Sequence, residues 1–368
     1  MKSLLFLIIL LILGIQFYSI EFLATILVIS FLIFFHELGH FLAARSLGVK
    51  VEVFSIGFGK SLIQKQIKGT KYRLSALPIG GYVKLKGQDD MYPNLKNLDQ
   101  DSYSILSPIK KIYILFAGSF FNLILAFFLY IIVANLGIQK LSAQIGSIMP
   151  NSAADQAGLQ INDTILAINH AKIQSFDEIA KHLSLKPLKI LVERQGEILE
   201  FNITPKLGQG YNDFGQIISK AQLGISPKGS TLIITHQGLQ SIKYAINESI
   251  QASTLILKSI AKLLSAQIEV KNLGGIIAMT DLTSKAAQNS FSLLLFITAL
   301  ISINLGILNL LPIPTLDGGH ILFNLYEMIF RRKIPPKAFK YLSYGGLIIL
   351  LSLMLFTTYN DILRVASE

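Results

Sequence analysis

The 368-residue chain contains no cysteine and no tryptophan. Without cysteine there is no disulfide scaffold and no thiolate metal site, so a bound metal would have to use nitrogen and oxygen ligands. Charge is scarce as well. Only 15% of residues are Asp, Glu, Lys or Arg, against roughly 25% in an average soluble domain. The charge that is present favours one sign, with 33 Lys and Arg against 22 Asp and Glu. Apolar residues make up 52% of the chain and the mean hydropathy is +0.54.

The apolar residues come in runs long enough to cross a hydrocarbon layer of about 30 Å. Four windows are clear: Ser3–Ile20, Phe22–Ala44, Ile112–Gly137 and Ala286–Leu316. A fifth, Tyr341–Asn360, makes a final span. The first follows Lys2 and resembles a signal peptide, but Phe17, Tyr18 and Ser19 make a poor cleavage site, so an uncleaved extra span is expected. Arg45–Lys111 holds twelve Lys and Arg against five acids, and Arg331–Lys340 holds five against none. Basic loops stay in the cytoplasm, which places residues 138–285 on the opposite side. This topology accounts for the positive charge, so no nucleic-acid partner is expected.

The intervening segment reads as a soluble insert. Gln144–Met149, Asp163–Asn169, Leu188–Glu193 and Ile198–Thr204 have strand character, the last two joined by a Gln195-Gly196 turn. A short helix at Ala153–Ala157 stops at Gly158. Ser175 with Glu178 predicts a capping box at the start of Ser175–Leu183. The run IGSIMPNSAADQAGLQINDTILAINHAKIQSFDEIAKHL resembles a PDZ domain, a fold that binds peptides by strand addition. After it, Gly238–Ala266 has helical apolar spacing and predicts an amphipathic helix against membrane or protein.

Inside the second window lies His36-Glu37-Leu38-Gly39-His40. Residues i and i+4 share a helix face, so two imidazoles can hold one Zn²⁺ with a glutamate beside them. Fourteen helical steps from Phe22 to His36 span about 21 Å, which puts the motif at membrane depth. Ionisable groups there are costly and usually functional. A catalytic zinc needs a third protein ligand. Asp317 is the candidate, at the end of a 31-residue uncharged run and followed by Gly318 and Gly319. Pro312 and Pro314 interrupt the helix just before it. His320 is the rival.

HELGH together with Asn309–His320 (NLLPIPTLDGGH) resembles the site-two protease family of intramembrane zinc metalloproteases. The bacterial regulator-of-sigma-E type is the nearest in pattern. Phe54–Gly59 (FSIGFG), Tyr72–Leu85 (YRLSALPIGGYVKL) and Ala117–Ala126 (AGSFFNLILA) extend the resemblance over nearly the whole chain after residue 22. It implies that His36, His40 and Asp317 bind zinc, that Glu37 is the general base, and that Asn309 orients substrate. Asn309 could equally make an interhelical hydrogen bond. The turn at Pro78–Gly81, with Gly80 and Gly81, is expected to join Tyr72–Leu77 to Tyr82–Leu85 as a membrane-associated hairpin near substrate. The chain departs from the family pattern in carrying one PDZ-like segment, Ser119 where the family has proline, and Ile276 after Gly274-Gly275.

The expected architecture is a polytopic α-helical membrane protein with a membrane-associated β-hairpin and an extracytoplasmic α/β PDZ domain. Its parts are an extra hydrophobic segment at 1–21, a first part of the membrane core at 22–137 and the PDZ domain at 138–230. A helical connector at 231–285 and the second part of the core at 286–368 follow. The expected function is zinc-dependent cleavage of transmembrane segments in the bacterial inner membrane. Its partners would be the lipid bilayer and single-pass membrane proteins, such as anti-sigma factors or signal-peptide remnants. The rivals are a non-catalytic membrane PDZ scaffold and a membrane zinc carrier.

Overall fold

A computed structural model describes residues 20–88, 97–212, 214, 216–267 and 274–367. The expected segment Ser3–Ile20 lies outside these, apart from its last residue. The chain forms two compact units. One combines the residues up to Val133 with those from Gly238 onward, and the other is Ala134–Gln237.

The first unit opens with helix α1 (Ile20–Ser46), followed by two long strands, β1 (Val51–Ile67) and β2 (Thr70–Leu85). The sequence predicts a reversal at Pro78–Gly81. The chain does double back there, since residues 53–56 run parallel to 71–74 and antiparallel to 81–84, and it also reverses at Lys68-Gly69, whose φ values of 46° and 83° lie in the left-handed turn region. The stretches expected to pair with each other do not. Val53 is paired with both Lys71 and Lys84, and Ile56 with both Leu74 and Gly81. Residues 53–56 therefore sit between the two halves of a folded-back β2. Helix α2 (Pro108–Leu136) completes the first half of this unit.

In the second unit, β3 (Ile138–Leu141) and β4 (Ile145–Ile148) lead to the short helix α3 (Ala153–Gln156). Then come β5 (Thr164–Ile168), β6 (Ala171–Lys172), helix α4 (Phe176–His182), β7 (Leu188–Arg194) and β8 (Glu197–Ile203). These form a four-stranded sheet in the order β6-β5-β7-β8. Gln195-Gly196 closes the β7–β8 hairpin with φ of 52° and 88°. Alternate residues Leu188, Ile190 and Val192 point into a core shared with Ile145, Ile165 and Leu223. The capping box does not form as expected. Ser175 makes no side-chain cap, and Glu178 accepts the amide of Gln174 at 2.8 Å.

Four further strands give the sequence no clear signal: β9 (Lys206–Tyr211), β10 (Ile217–Gln222), β11 (Ile225–Pro227) and β12 (Thr231–Ile234). β9 pairs with β10, β11 with β4, and β12 with β3.

The first unit resumes with α5 (Leu239–Leu264), α6 (Ile276–Asn289), α7 (Phe291–Asn309), α8 (Asp317–Phe330) and α9 (Pro336–Ser367). The uncharged window from Ala286 is not one helix. It breaks at Ser290, which is extended and caps α7 with its side-chain Oγ accepting the Leu293 amide at 3.1 Å. Helix α5 turns Ser241, Ala245 and Ala252 inward, and Ile246, Ile250 and Leu257 stay exposed. Its predicted apolar stripe thus faces away from this unit's core. Among the described residues, four helical stretches, Leu23–Ser46, Pro108–Leu136, Phe291–Asn309 and Pro336–Arg364, are long and apolar enough to cross a membrane. Leu32, Leu125, Tyr130, Ala245 and Ile303 bring α1, α2, α5 and α7 into one core.

Candidate metal centre

Helical periodicity stacks His36 and His40 on one face of α1. The first residue of α8, Asp317, meets them. Asp317 Oδ2 lies 3.2 Å from His36 Nε2 and 3.4 Å from His40 Nε2, and the two Nε2 atoms are 3.1 Å apart. A tetrahedral zinc with bonds of about 2.0–2.1 Å spaces its ligand atoms about 3.3–3.4 Å apart. The three atoms match that spacing.

The protons point the same way. His40 Nδ1 is 2.9 Å from the Ile114 carbonyl oxygen, which can only accept. Neutral His40 must therefore carry its proton on Nδ1 and present a lone pair on Nε2. Asp317 Oδ2 is buried and has no hydrogen-bond donor. A lone pair and a carboxylate oxygen facing each other across 3.4 Å, out of water, call for a cation between them.

The residues around the cluster hold it in place. Asn122 on α2 brings Nδ2 to 3.4 Å from His36 Nδ1, while its Oδ1 is buried without a partner. Exchanging the two ends of that amide turns its oxygen to the ring nitrogen. Oδ1 then accepts the Nδ1 proton, and His36 Nε2 is left with its lone pair. Gly118 faces the same rings: a Cβ there would collide with His40 Nε2 and lie 2.9 Å from His36 Cε1. Gly39 packs so closely on the Ala117 carbonyl that a Cβ would overlap it. Small residues let α1 and α2 approach to this distance. Gly318 and Gly319 play the equivalent part for Asp317, because Cβ atoms there would strike the carbonyls of Leu310 and Ile313. The broken segment 310–316 can therefore fold back against the start of α8.

Asn309 ends α7 with its amide nitrogen 3.3 Å from His36 Nε2, at the cluster itself. Glu37 lies beside β2. The Val83 backbone amide reaches its carboxylate, and a Cβ on Gly81 would be 3.4 Å from Glu37 Cγ. Gly80 is farther away, buried against the Phe58 ring. His320 does not join the cluster. Its ring packs on those of Phe323 and Phe339, with centroids 6.0 and 5.8 Å away. Sequence reasoning missed Asn122, Gly118 and the Ile114 carbonyl. Asn122 had left one trace, as a buried amide in a 26-residue window without charge.

A family model described as Peptidase family M50 matches residues 24–353. The chain belongs to this family. M50 members are the site-two proteases. Over all 368 residues of both proteins, the chain is 76% identical to a proposed zinc metalloprotease of Campylobacter jejuni. It is 40% identical over 352 residues to one from Helicobacter pylori, covering 94% of this chain and 99% of the relative. The metalloprotease MmpA of Caulobacter vibrioides is 29% identical over 377 residues, covering 93% of this chain and 95% of the relative. Zinc is the cofactor of this M50 chain, and His36, His40 and Asp317 form a group that could hold it.

Proposed function

We propose that this chain is an intramembrane zinc metalloprotease that cuts transmembrane segments of other membrane proteins. The observation that carries the reading is the convergence of His36 Nε2, His40 Nε2 and Asp317 Oδ2 with Glu37 alongside, in helices apolar enough to span a bilayer. The three side chains would hold zinc, which when bound polarises a carbonyl and makes water more acidic. Glu37 would accept a proton from the attacking water and pass it to the leaving amide nitrogen. Asn309 would offer its amide N–H groups to the carbonyl oxygen as negative charge builds there.

A helical substrate hides its amide bonds, so it must unwind before it is cut. Residues 81–85 pair with residues 51–56 on one side. Their other edge, near Glu37, suits an extended strand of substrate. Gly81 permits close approach to the glutamate, whereas Gly80 would act only by keeping room for Phe58. In this reading the unit Ala134–Gln237 is a PDZ domain outside the cytoplasm of a bacterial cell, supported by the two basic loops and the order of its strands. It would select substrates already trimmed on that side, among them anti-sigma factors or signal-peptide remnants.

The test is Glu37→Gln in the purified full chain. Zinc content should stay at the wild-type level, and cleavage of a transmembrane substrate should fall by about 10²–10⁴-fold. Wild-type cleavage by Glu37→Gln would refute the mechanism. A wild-type chain that retains zinc but cuts no membrane substrate would favour the scaffold reading.

A further inference from the structure

Helices α8 and α9 leave an open apolar groove between them, with a volume of about 610 Å³. That is within the roughly 300–1,000 Å³ of small-ligand sites. Phe323, Tyr326 and Phe330 form one wall, and Pro335, Ala338 and Leu342 form the other. Polar atoms contribute little to the lining. The connection that closes one end is the reverse in character. Arg331, Arg332, Lys333, Lys337 and Lys340 fall within ten residues that include no acid, and all five are exposed. Arg331 ends α8 in the left-handed conformation at φ 52°, and Pro335-Pro336 stiffens the return into α9. The basic groups are thus held at the mouth of the groove by a short, constrained turn.

The charges are largely uncommitted. Lys333 lies 3.7 Å from Glu327, and Lys340 sits over the Tyr344 ring at 5.7 Å. Arg331, Arg332 and Lys337 have no ion pair among the described residues. Helix α9 is itself one of the four bilayer-spanning candidates, so the molecules at hand for the groove are lipids. We propose that the groove is a seat for one anionic phospholipid, with an acyl chain along Phe323, Tyr326 and Leu342 and the phosphate among Arg331, Arg332 and Lys337. Charge complementarity selects the anionic headgroup over a zwitterionic one, and the apolar walls select a lipid over a soluble phosphate.

The lack of tryptophan makes the test direct, since one substituted Trp reports only its own surroundings. Tyr326→Trp places the reporter in the groove. Tyr113→Trp places a control on the exposed start of α2, beside Lys110 and Lys111. Each full-length variant is reconstituted in phosphatidylcholine vesicles with increasing fractions of brominated phosphatidylglycerol or brominated phosphatidylcholine. The Tyr326→Trp reporter should be half-quenched at a fraction of the anionic lipid lower by at least about fivefold, the gain from even one of the three basic charges. Adding Arg331→Gln, Arg332→Gln and Lys337→Gln should abolish that preference. Equal quenching by the two lipids overturns the proposal. So does an equal anionic preference at Tyr113→Trp, which would mean general attraction to a basic surface. Native mass spectrometry of the unsubstituted chain against the triple Gln variant checks the result without a reporter. The wild type should retain one more phosphatidylglycerol, and equal retention also overturns the seat.

Discussion

Two buried aspartate oxygens, one in each unit, are treated in opposite ways. In the inserted unit, Asp163 is fully buried and well supplied. Arg194 grips it through two hydrogen bonds of 2.7 Å, and the Gln160 amide adds a third at 2.8 Å. In the membrane unit, Asp317 Oδ2 has no donor and faces two imidazoles. Ser119 Oγ, next to Gly118, and Thr315 Oγ1, two residues before Asp317, are likewise buried without partners. A satisfied buried carboxylate is structural, because its desolvation is offset within the fold. An unsatisfied one among other acceptors is reserved for something the fold does not itself supply.

Removing each carboxylate tests this contrast most strongly. Asp317→Ala should lower cleavage by at least about 10³-fold through loss of zinc, without lowering the thermal stability of the metal-free chain. Asp163→Ala should do the reverse, leaving zinc content intact while loosening its own unit. The cost should be about 2 kcal/mol, below the roughly 3–5 of a fully buried pair because Arg194 still reaches water. Hydrogen exchange of the β5 and β7 amides reports the second effect. An Asp317→Ala chain that melts well below the wild type, both without metal, would erase the distinction.

Two asparagines sharpen it further, since both touch His36 but from opposite nitrogens. Asn309→Ala should reduce kcat by about 10²-fold and leave zinc affinity nearly unchanged, as expected of a group that acts on the reacting carbonyl. Asn122→Leu should weaken zinc binding by about 10–100-fold, as expected of a group that fixes the ring behind the ligand atom. Competitive chelator titration separates the two. Matching losses of zinc from both variants would show that both asparagines serve the metal alone.

The smallest effect belongs to a third, exposed group. Lys86 bridges Asp99 and Asp101 at 2.7 and 2.6 Å, and its hydrogen bond holds the Asp99 carboxyl below the ordinary range. A carboxyl with a lowered folded-state pKa contributes stability above its ordinary value near about 4, and that contribution fades as the pH falls through the folded value. Protection of the Tyr103 amide, which donates to the Lys86 carbonyl at 2.8 Å, should therefore decline slightly below about pH 4, once intrinsic exchange is corrected for. Constant protection down to the acid limit would remove this clamp from consideration.

Much of the architecture was legible because its signals are local. The Gln195-Gly196 turn, the strands on either side of it and the four long apolar helices each declare themselves within a window of a few to twenty residues. The β1–β2 sheet was misread for the same reason. Pro78–Gly81 carries turn chemistry and the chain does reverse there, but residues 53–56 lie between the stretches it joins, while Lys68-Gly69 carries less and joins strands that pair directly. Which of two possible turns closes a sheet depends on the pairing that follows, and here residues 53–56 take partners on both sides. The break at Ser290 was hidden by composition, since hydropathy averages over a serine that stops one helix and caps the next.

The sequence by itself determined that His36 and His40 share a helix face, because a spacing of four is a full turn wherever the helix lies. It also determined that Asp317 follows a proline-broken, uncharged run. Tertiary structure alone decided that these meet, and with what around them. Asn122 approaches His36 across 86 residues and Asn309 across 273. Those distances are set by how closely α1, α2 and α7 pack, through Gly39, Gly118 and Gly306. Periodicity places a side chain on one face of a helix. The neighbour toward which that face turns is chosen by the backbone approach that missing Cβ atoms allow, and that is a property of two helices together.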